Sequence, residues 1–191
     1  MRELKEAILR EGEGIGQDIV KVDGFLNHRI DTALSTSMGR AFYEAFREDG
    51  VDCIMTVEAS GIAPAVTTAQ AFGNIPVIFA KKGDHRNVGS DVYTAQVYSF
   101  THQKMNTIRV SRKYLREGLR VLIIDDFLAN GEAVEGMLDI LRQAGCEAVG
   151  VGICVEKGFQ PGGAKLRERG VKLVSLAVVD AIDNGRIILR D

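Results

Sequence analysis

Val121-Leu122-Ile123-Ile124-Asp125-Asp126-Phe127-Leu128-Ala129-Asn130-Gly131-Glu132-Ala133 joins an unbroken apolar run to two adjacent acids and a small-residue turn that opens a helix. Four branched aliphatic residues with no polar alternation suit a strand covered on both faces of a parallel sheet, and such sheets bind ligands at the carboxyl ends of their strands. Asp125 and Asp126 fall at that end. Val134, Met137, Leu138 and Leu141 then recur at helical spacing, which predicts a helix beginning near Asn130 or Gly131. Its first amides and positive dipole end would face the turn, so the stretch offers a ribose-phosphate cradle beside two carboxylates.

Outward from this stretch, strand and helix alternate. Val51 to Val57, Val77 to Ala80, Leu119 to Ile124, Val149 to Val155 and Leu173 to Val178 are apolar runs separated by helix-length segments. That order predicts an α/β fold, with right-handed crossovers around a mainly parallel central sheet flanked by helices. Leu4, Ala7, Ile8 and Glu11 predict a short opening helix, and Leu34, Met38, Ala41, Phe42 and Ala45 a longer one ending near Gly50. The interruption lies between Lys81 and Val110. There the polar, glycine-punctuated Lys81 to Asp91 stretch predicts a flexible loop on a small antiparallel excursion formed by Ala95 to Phe100 and Thr107 to Ser111. No repeat or linker divides residues 1–191, which predicts one domain whose ends, about 1–30 and 156–191, build a small hood subdomain over the sheet.

Composition excludes several functions. A 46% hydrophobic share, 26% charged residues and a formal charge of -2 are those of an ordinary globular chain without a basic stripe for nucleic acid or anionic membrane. No apolar run is long enough to span a bilayer, and Met1-Arg2-Glu3-Leu4-Lys5-Glu6 lacks a signal-peptide core, so a cytoplasmic location is expected. Cys53, Cys146 and Cys154 are odd in number and lack metal or redox spacing, and His28, His85 and His102 form no ligand set. Competing motifs also fail: no GxxxxGK[ST] accompanies the acidic strand, and Gly12-Glu13-Gly14-Ile15-Gly16 has neither dinucleotide spacing nor a preceding strand. A receiver domain gathers acids at strand ends, but it has no use for a glycine turn directly after them.

The chain resembles the type I phosphoribosyltransferases, and within them the purine salvage class that acts on xanthine. The resemblance covers nearly the whole chain. It is carried by Lys21-Val22-Asp23-Gly24-Phe25-Leu26-Asn27-His28, Glu58-Ala59-Ser60-Gly61-Ile62-Ala63-Pro64-Ala65, Tyr98-Ser99-Phe100, the Val121 to Ala133 run and Glu156-Lys157-Gly158-Phe159-Gln160-Pro161-Gly162. The central run specifies the superfamily; the outer segments bear on the base. Where the superfamily has threonines and a second glycine in its phosphate turn, this chain has Asn130, Glu132 and Ala133. Backbone amides must then carry more of the 5′-phosphate binding, and Glu132 must point away or meet a counter-charge.

The resemblance implies transfer of ribose 5-phosphate from phosphoribosyl pyrophosphate (PRPP) to xanthine, yielding xanthosine 5′-monophosphate and pyrophosphate. It implies a homodimer and Mg2+ brought in with PRPP, held by substrate oxygens and water, with Asp125 or Asp126 as the protein's own candidate ligands. Asp125 and Asp126 would stabilise the positive sugar centre, and Ala129, Asn130, Gly131, Glu132 and Ala133 would hold the 5′-phosphate. Glu58, Ala59, Ser60 and Gly61, entering a second helix, would form the pyrophosphate seat, although Ser60 could equally be a plain helix cap. Lys81 and Lys82 could grip the same group. Val20, Asn27 and Lys157 would contact the base, with Phe159 stacking on it; a lysine ammonium donates and cannot accept, which favours oxopurines over adenine. The expected order is xanthine first and adenine last. Another purine transferase of this fold, using guanine, hypoxanthine or adenine, stays open, as does a non-catalytic PRPP-sensing regulator.

Overall fold

The computed structural model describes residues 1–83, 91–99 and 104–191. The helix α1 (Arg2–Glu11) leads into a two-stranded ribbon, β1 (Glu13–Ile15) and β2 (Ile19–Lys21), a wide turn at Asp23–Asn27, and the helix α2 (Thr32–Phe46). Asp31 caps α2 by accepting the Leu34 amide, the expected use of a short acid before a helix. Then follow β3 (Cys53–Val57), α3 (Ile62–Ala71), β4 (Val77–Lys82), β5 (Val92–Ser99), β6 (Lys104–Ser111), β7 (Arg120–Leu128), α4 (Glu132–Gln143), β8 (Glu147–Lys157), α5 (Gly162–Glu168), β9 (Leu173–Asp183) and β10 (Arg186–Leu189).

The main sheet has the order β10-β9-β8-β7-β3-β4-β6-β5. Its five central strands are parallel, while β10, β6 and β5 join antiparallel at the two edges. Every residue of β3 is buried, as an apolar run without alternation requires of a strand covered on both faces. One layer packs Leu34, Met38, Phe42 and Phe46 of α2 against Leu122 and Ile124. The opposite layer packs Val134, Met137, Ile140 and Leu141 of α4 against Val121, Ile123, Ile153 and the β5–β6 ribbon.

The two ends of the chain meet. The Gly14 amide donates to the Gly185 carbonyl at 3.0 Å, Lys5 Nζ donates to the Arg190 carbonyl at 2.6 Å, and the N-terminal ammonium donates to the Leu176 carbonyl. Val20, Val22, Phe25 and Leu26 share a buried cluster with Leu4, Ile8, Val179 and Ile187. At the same time β9 and β10 are strands of the main sheet, because β8 and β9 ladder in parallel from Val151↔Leu173 to Lys157↔Val179.

Two expectations are adjusted by pairing. Strand β4 runs past Ala80 to Lys82 because Lys81 and Lys82 pair with Arg109 and Ile108 of β6, so both lysines are strand residues. Strand β7 runs past Ile124 to Leu128 because β8 continues beside it. The excursion of β5 and β6 is antiparallel, as expected. Residues 84–90 of the expected flexible loop, with His85, and Phe100 and His102 lie outside the described residues. Among the described residues, no helix is long and apolar enough to cross a membrane.

Candidate active site

Read along the sheet, the parallel strands lie β4-β3-β7-β8-β9, so the chain order reverses between β3 and β7. Open parallel sheets bind ligands outside the carboxyl ends of the strands at such a reversal. The β3 ladder on β7 ends at Met55↔Ile123, whereas β8 pairs with β7 as far as Leu128↔Glu156. Asp125 and Asp126 therefore lie beyond the last β3 rung, held by sheet on one side and facing the β3–α3 turn on the other.

Both acids are nearly enclosed, at 4% and 7% exposure. One oxygen of Asp125 accepts the Asp126 amide at 3.0 Å. Gly61 packs against it so closely that a Cβ there would lie 2.5 Å from Asp125 Oδ1 and 2.2 Å from Thr56 Oγ1. Asp126 turns toward the amino-terminal segment, where Oδ2 accepts from Asn27 Nδ2 at 3.3 Å. Asn27, expected at the base, thus touches an acid of the β7 pair. Burial, then the charge of Asp126, pushes the Asp125 carboxyl well above its ordinary range, with Lys82 opposing.

The turn after β7 brings backbone close to backbone. Gly131 has φ 93°, a left-handed conformation that a side chain would strain, and it starts α4 with no side-chain cap on the first-turn amides. The start of α5 rests on this turn. The Gly162 amide donates to the Ala129 carbonyl at 3.0 Å, and a Cβ on Gly162 would meet that oxygen at 2.4 Å and the Gly131 nitrogen at 2.7 Å. Helix α4 begins at Glu132, one to two residues later than expected, because the left-handed Gly131 separates the strand from the helix.

A cleft of about 990 Å³ opens over this turn. Its wall includes Ala129, Asn130, Gly131, Glu132 and Ala133 together with Lys157 and Lys82, whereas Asp125 and Asp126 are not part of it. Lys157 Nζ donates to the Asp18 carbonyl at 2.7 Å and lies 5.9 Å from the centre of the Phe127 ring. Burial lowers its pKa, with the Asp18 charge opposing. Behind Lys157, the buried Glu156 takes a two-pronged contact from Arg167, 2.7 Å for each oxygen, and a further hydrogen bond from Ser175. Burial raises the Glu156 carboxyl, but the Arg167 and Ser175 contacts outweigh it and hold the group below its ordinary value.

Other expected residues stand outside the wall. Val20 is buried in the amino-terminal ribbon, at 6% exposure, and Phe159 is exposed outside the cleft. Glu58 Oε1 accepts the Lys82 amide at 2.7 Å, so this carboxylate ties the β3–α3 turn to the end of β4. Ser60 does not cap α3, whose N-cap is Gly61; the plain-cap reading of Ser60 is not what the structure has. The Lys81 ammonium lies 6.0 Å from the Phe79 ring centre. Sequence reading gave no role to Asp18, Ile19, Phe127 and Gln160 in the wall, nor to Tyr98 and Asn106 of β5 and β6. Phe127 could have been found, since it sits between the acids and the phosphate turn in one quoted stretch.

Comparison with known proteins bears on the family and the fold. The family described as "Phosphoribosyl transferase domain" matches residues 30–181. A xanthine phosphoribosyltransferase of Clostridioides difficile (strain 630) is 53% identical over 190 residues, covering 100% of both chains. One of Laribacter hongkongensis (strain HLHK9) is 49% identical over 187 residues, covering 98% of each. Among solved structures, adenine phosphoribosyltransferase from Rhodothermus marinus superposes with a TM-score of 0.71 at 19% identity, covering 93% of this chain and 99% of that one. That likeness concerns the fold.

Proposed function

The chain belongs to the phosphoribosyltransferase family, and from that premise we propose that it converts xanthine and PRPP to xanthosine 5′-monophosphate and pyrophosphate. The observation that carries this reading is the identity with xanthine phosphoribosyltransferases over the full chain. The cleft supports it by putting the start of α4 and a half-buried lysine around one space, while the two enclosed acids lie on β7 just before the turn that lines it.

In this mechanism the 5′-phosphate sits on the first-turn amides of α4, with residues 129–133 wrapped around it. The amides of residues 58–61 and the ammonium group of Lys82 receive the pyrophosphate, while Lys81, next to it on the strand, points to the other face. The sugar carbon loses its bond to pyrophosphate oxygen and gains one to a purine nitrogen, passing through a cation-like state. Asp125 and Asp126 hold negative charge beside that carbon, fixed in advance by the Asp126 amide and by Asn27. Magnesium accompanying PRPP would neutralise charge on the leaving pyrophosphate. The Asp125–Asp126 pair fits it as oxygen donors, but no group of three or more His, Cys, Asp or Glu occurs among the described residues, so substrate and water oxygens must complete its shell. In the cleft wall Lys157 donates to a carbonyl of the base, and Phe127 offers the aromatic face that was expected of Phe159.

The test is product identification after incubation with PRPP, magnesium and, separately, xanthine, guanine, hypoxanthine and adenine. Xanthosine 5′-monophosphate should form fastest. Adenosine 5′-monophosphate as the main product would overturn the reading.

Glu132 yields a separate expectation. It lines the phosphate end of the cleft and has no ion pair among the described residues, so its charge opposes that of the incoming phosphate. Glu132→Gln should lower KM for PRPP about two- to fivefold and leave kcat unchanged, a scale set by charges on a partly solvated wall. A raised KM in steady-state kinetics would show that Glu132 helps to hold substrate instead.

A further inference from the structure

Gln160 lies in the turn between β8 and α5, in the cleft wall beside Lys157. Its backbone amide donates to the Lys157 carbonyl at 2.9 Å, which closes the turn that carries both residues. Its side-chain Oε1 is shut off from solvent and accepts no hydrogen bond from the described residues. A buried acceptor without a donor is destabilising and is rarely left so unless a ligand or water completes it. Lys157 in the same wall donates to the Asp18 carbonyl and keeps two further N–H bonds for a ligand.

We propose that Gln160 is a base-selecting residue, whose Oε1 accepts an N–H of the purine while Lys157 donates to the adjacent carbonyl. The inference rests on the transferase reading above. A donor and an acceptor on one cleft wall are complementary to the O=C–N–H edge of an oxopurine. Xanthine, guanine and hypoxanthine all carry that edge. Adenine presents ring nitrogens that accept, so it would set a lone pair against Oε1. The last torsion of a glutamine is broad, so the carboxamide can turn its oxygen into the cleft once the base has displaced water from the wall. The orphaned acceptor of the ligand-free protein then finds its donor only in the complex.

Two readouts of opposite sign test this. Gln160→Leu keeps the volume and removes the orphaned acceptor, so the ligand-free protein should melt at a temperature equal to or above that of the parent. The same variant should lose about tenfold or more in kcat/KM for xanthine, hold KM for PRPP within about twofold, and narrow the preference for xanthine over adenine by a similar factor. Gln160→Glu keeps an acceptor and serves where the leucine variant does not fold; it should retain the preference over adenine. Unchanged xanthine efficiency and preference in Gln160→Leu would overturn the role of Gln160. Failure of the parent protein to use xanthine at all would instead overturn the function on which it rests.

Discussion

Asp125→Asn should leave the fold intact and lower turnover about 10²-fold or more, the scale of removing one preorganised electrostatic group from a reaction centre. The site explains why so small a change matters. Asp125 is fixed by the Asp126 amide and pressed against Gly61, so its carboxylate is held in one place before the reaction begins. Asp126→Asn should also be severe, since it alters the oxygen that Asn27 grips. Near-normal turnover in the double variant would remove both acids from the mechanism.

The pH dependence gives a second signature. Burial and the Asp126 charge raise the Asp125 carboxyl, so the charged form is lost at a pH above the ordinary carboxylate range. Turnover should fall on acidification through that raised value. Stability has the opposite sign: a carboxyl raised in the folded state contributes stability that is complete below its unfolded value and lost as pH rises through the folded one. Asp125→Asn should therefore melt higher than the parent at neutral pH while barely turning over. A lower melting temperature for this variant would show that the carboxylate supports the fold instead of straining it.

Much of this was legible because local chemistry and fold agreed. The unbroken Val121 to Ile124 run could only be a doubly covered strand, and the glycine after the acids could only be a turn. The closeness of Asp125 and Asp126 to the phosphate turn follows from chain neighbours alone. What was not legible depends on long-range pairing. The extension of β7 to Leu128 is set by β8, that of β4 to Lys82 by β6, and neither partner can be read from the strand itself. The same holds for side-chain direction. Asn27 and Phe159 both sit in suggestive motifs, but one reaches Asp126 and the other faces outward, because the amino-terminal turn and the β8–α5 turn decide where they point. Phe127 was passed over for the opposite reason: in a strand read as ending at Ile124 it has no assigned face.

Lys157→Ala should lower kcat/KM for xanthine about ten- to a hundredfold, the value of a hydrogen bond to a charged donor, and change KM for PRPP little. The lysine is half-buried beside Phe127, so its charge acts across a poorly solvated space where an oxopurine carbonyl is rewarded. Its contact with the Asp18 carbonyl allows a rival account, in which the side chain merely ties the β1–β2 ribbon to β8. The two accounts separate by base. A tie would weaken every purine alike and lower the melting temperature; a recognition role would depress xanthine, guanine and hypoxanthine while sparing the weak reaction with adenine. Because burial lowers the lysine pKa, its charge is lost at a lower pH than for an exposed lysine, so xanthine efficiency in the parent should decline on the alkaline side. That decline should be missing from the alanine variant. Efficiency measured for all four bases across pH therefore decides the matter, and an unaltered xanthine preference with an unaltered alkaline limb would exclude Lys157 from base recognition.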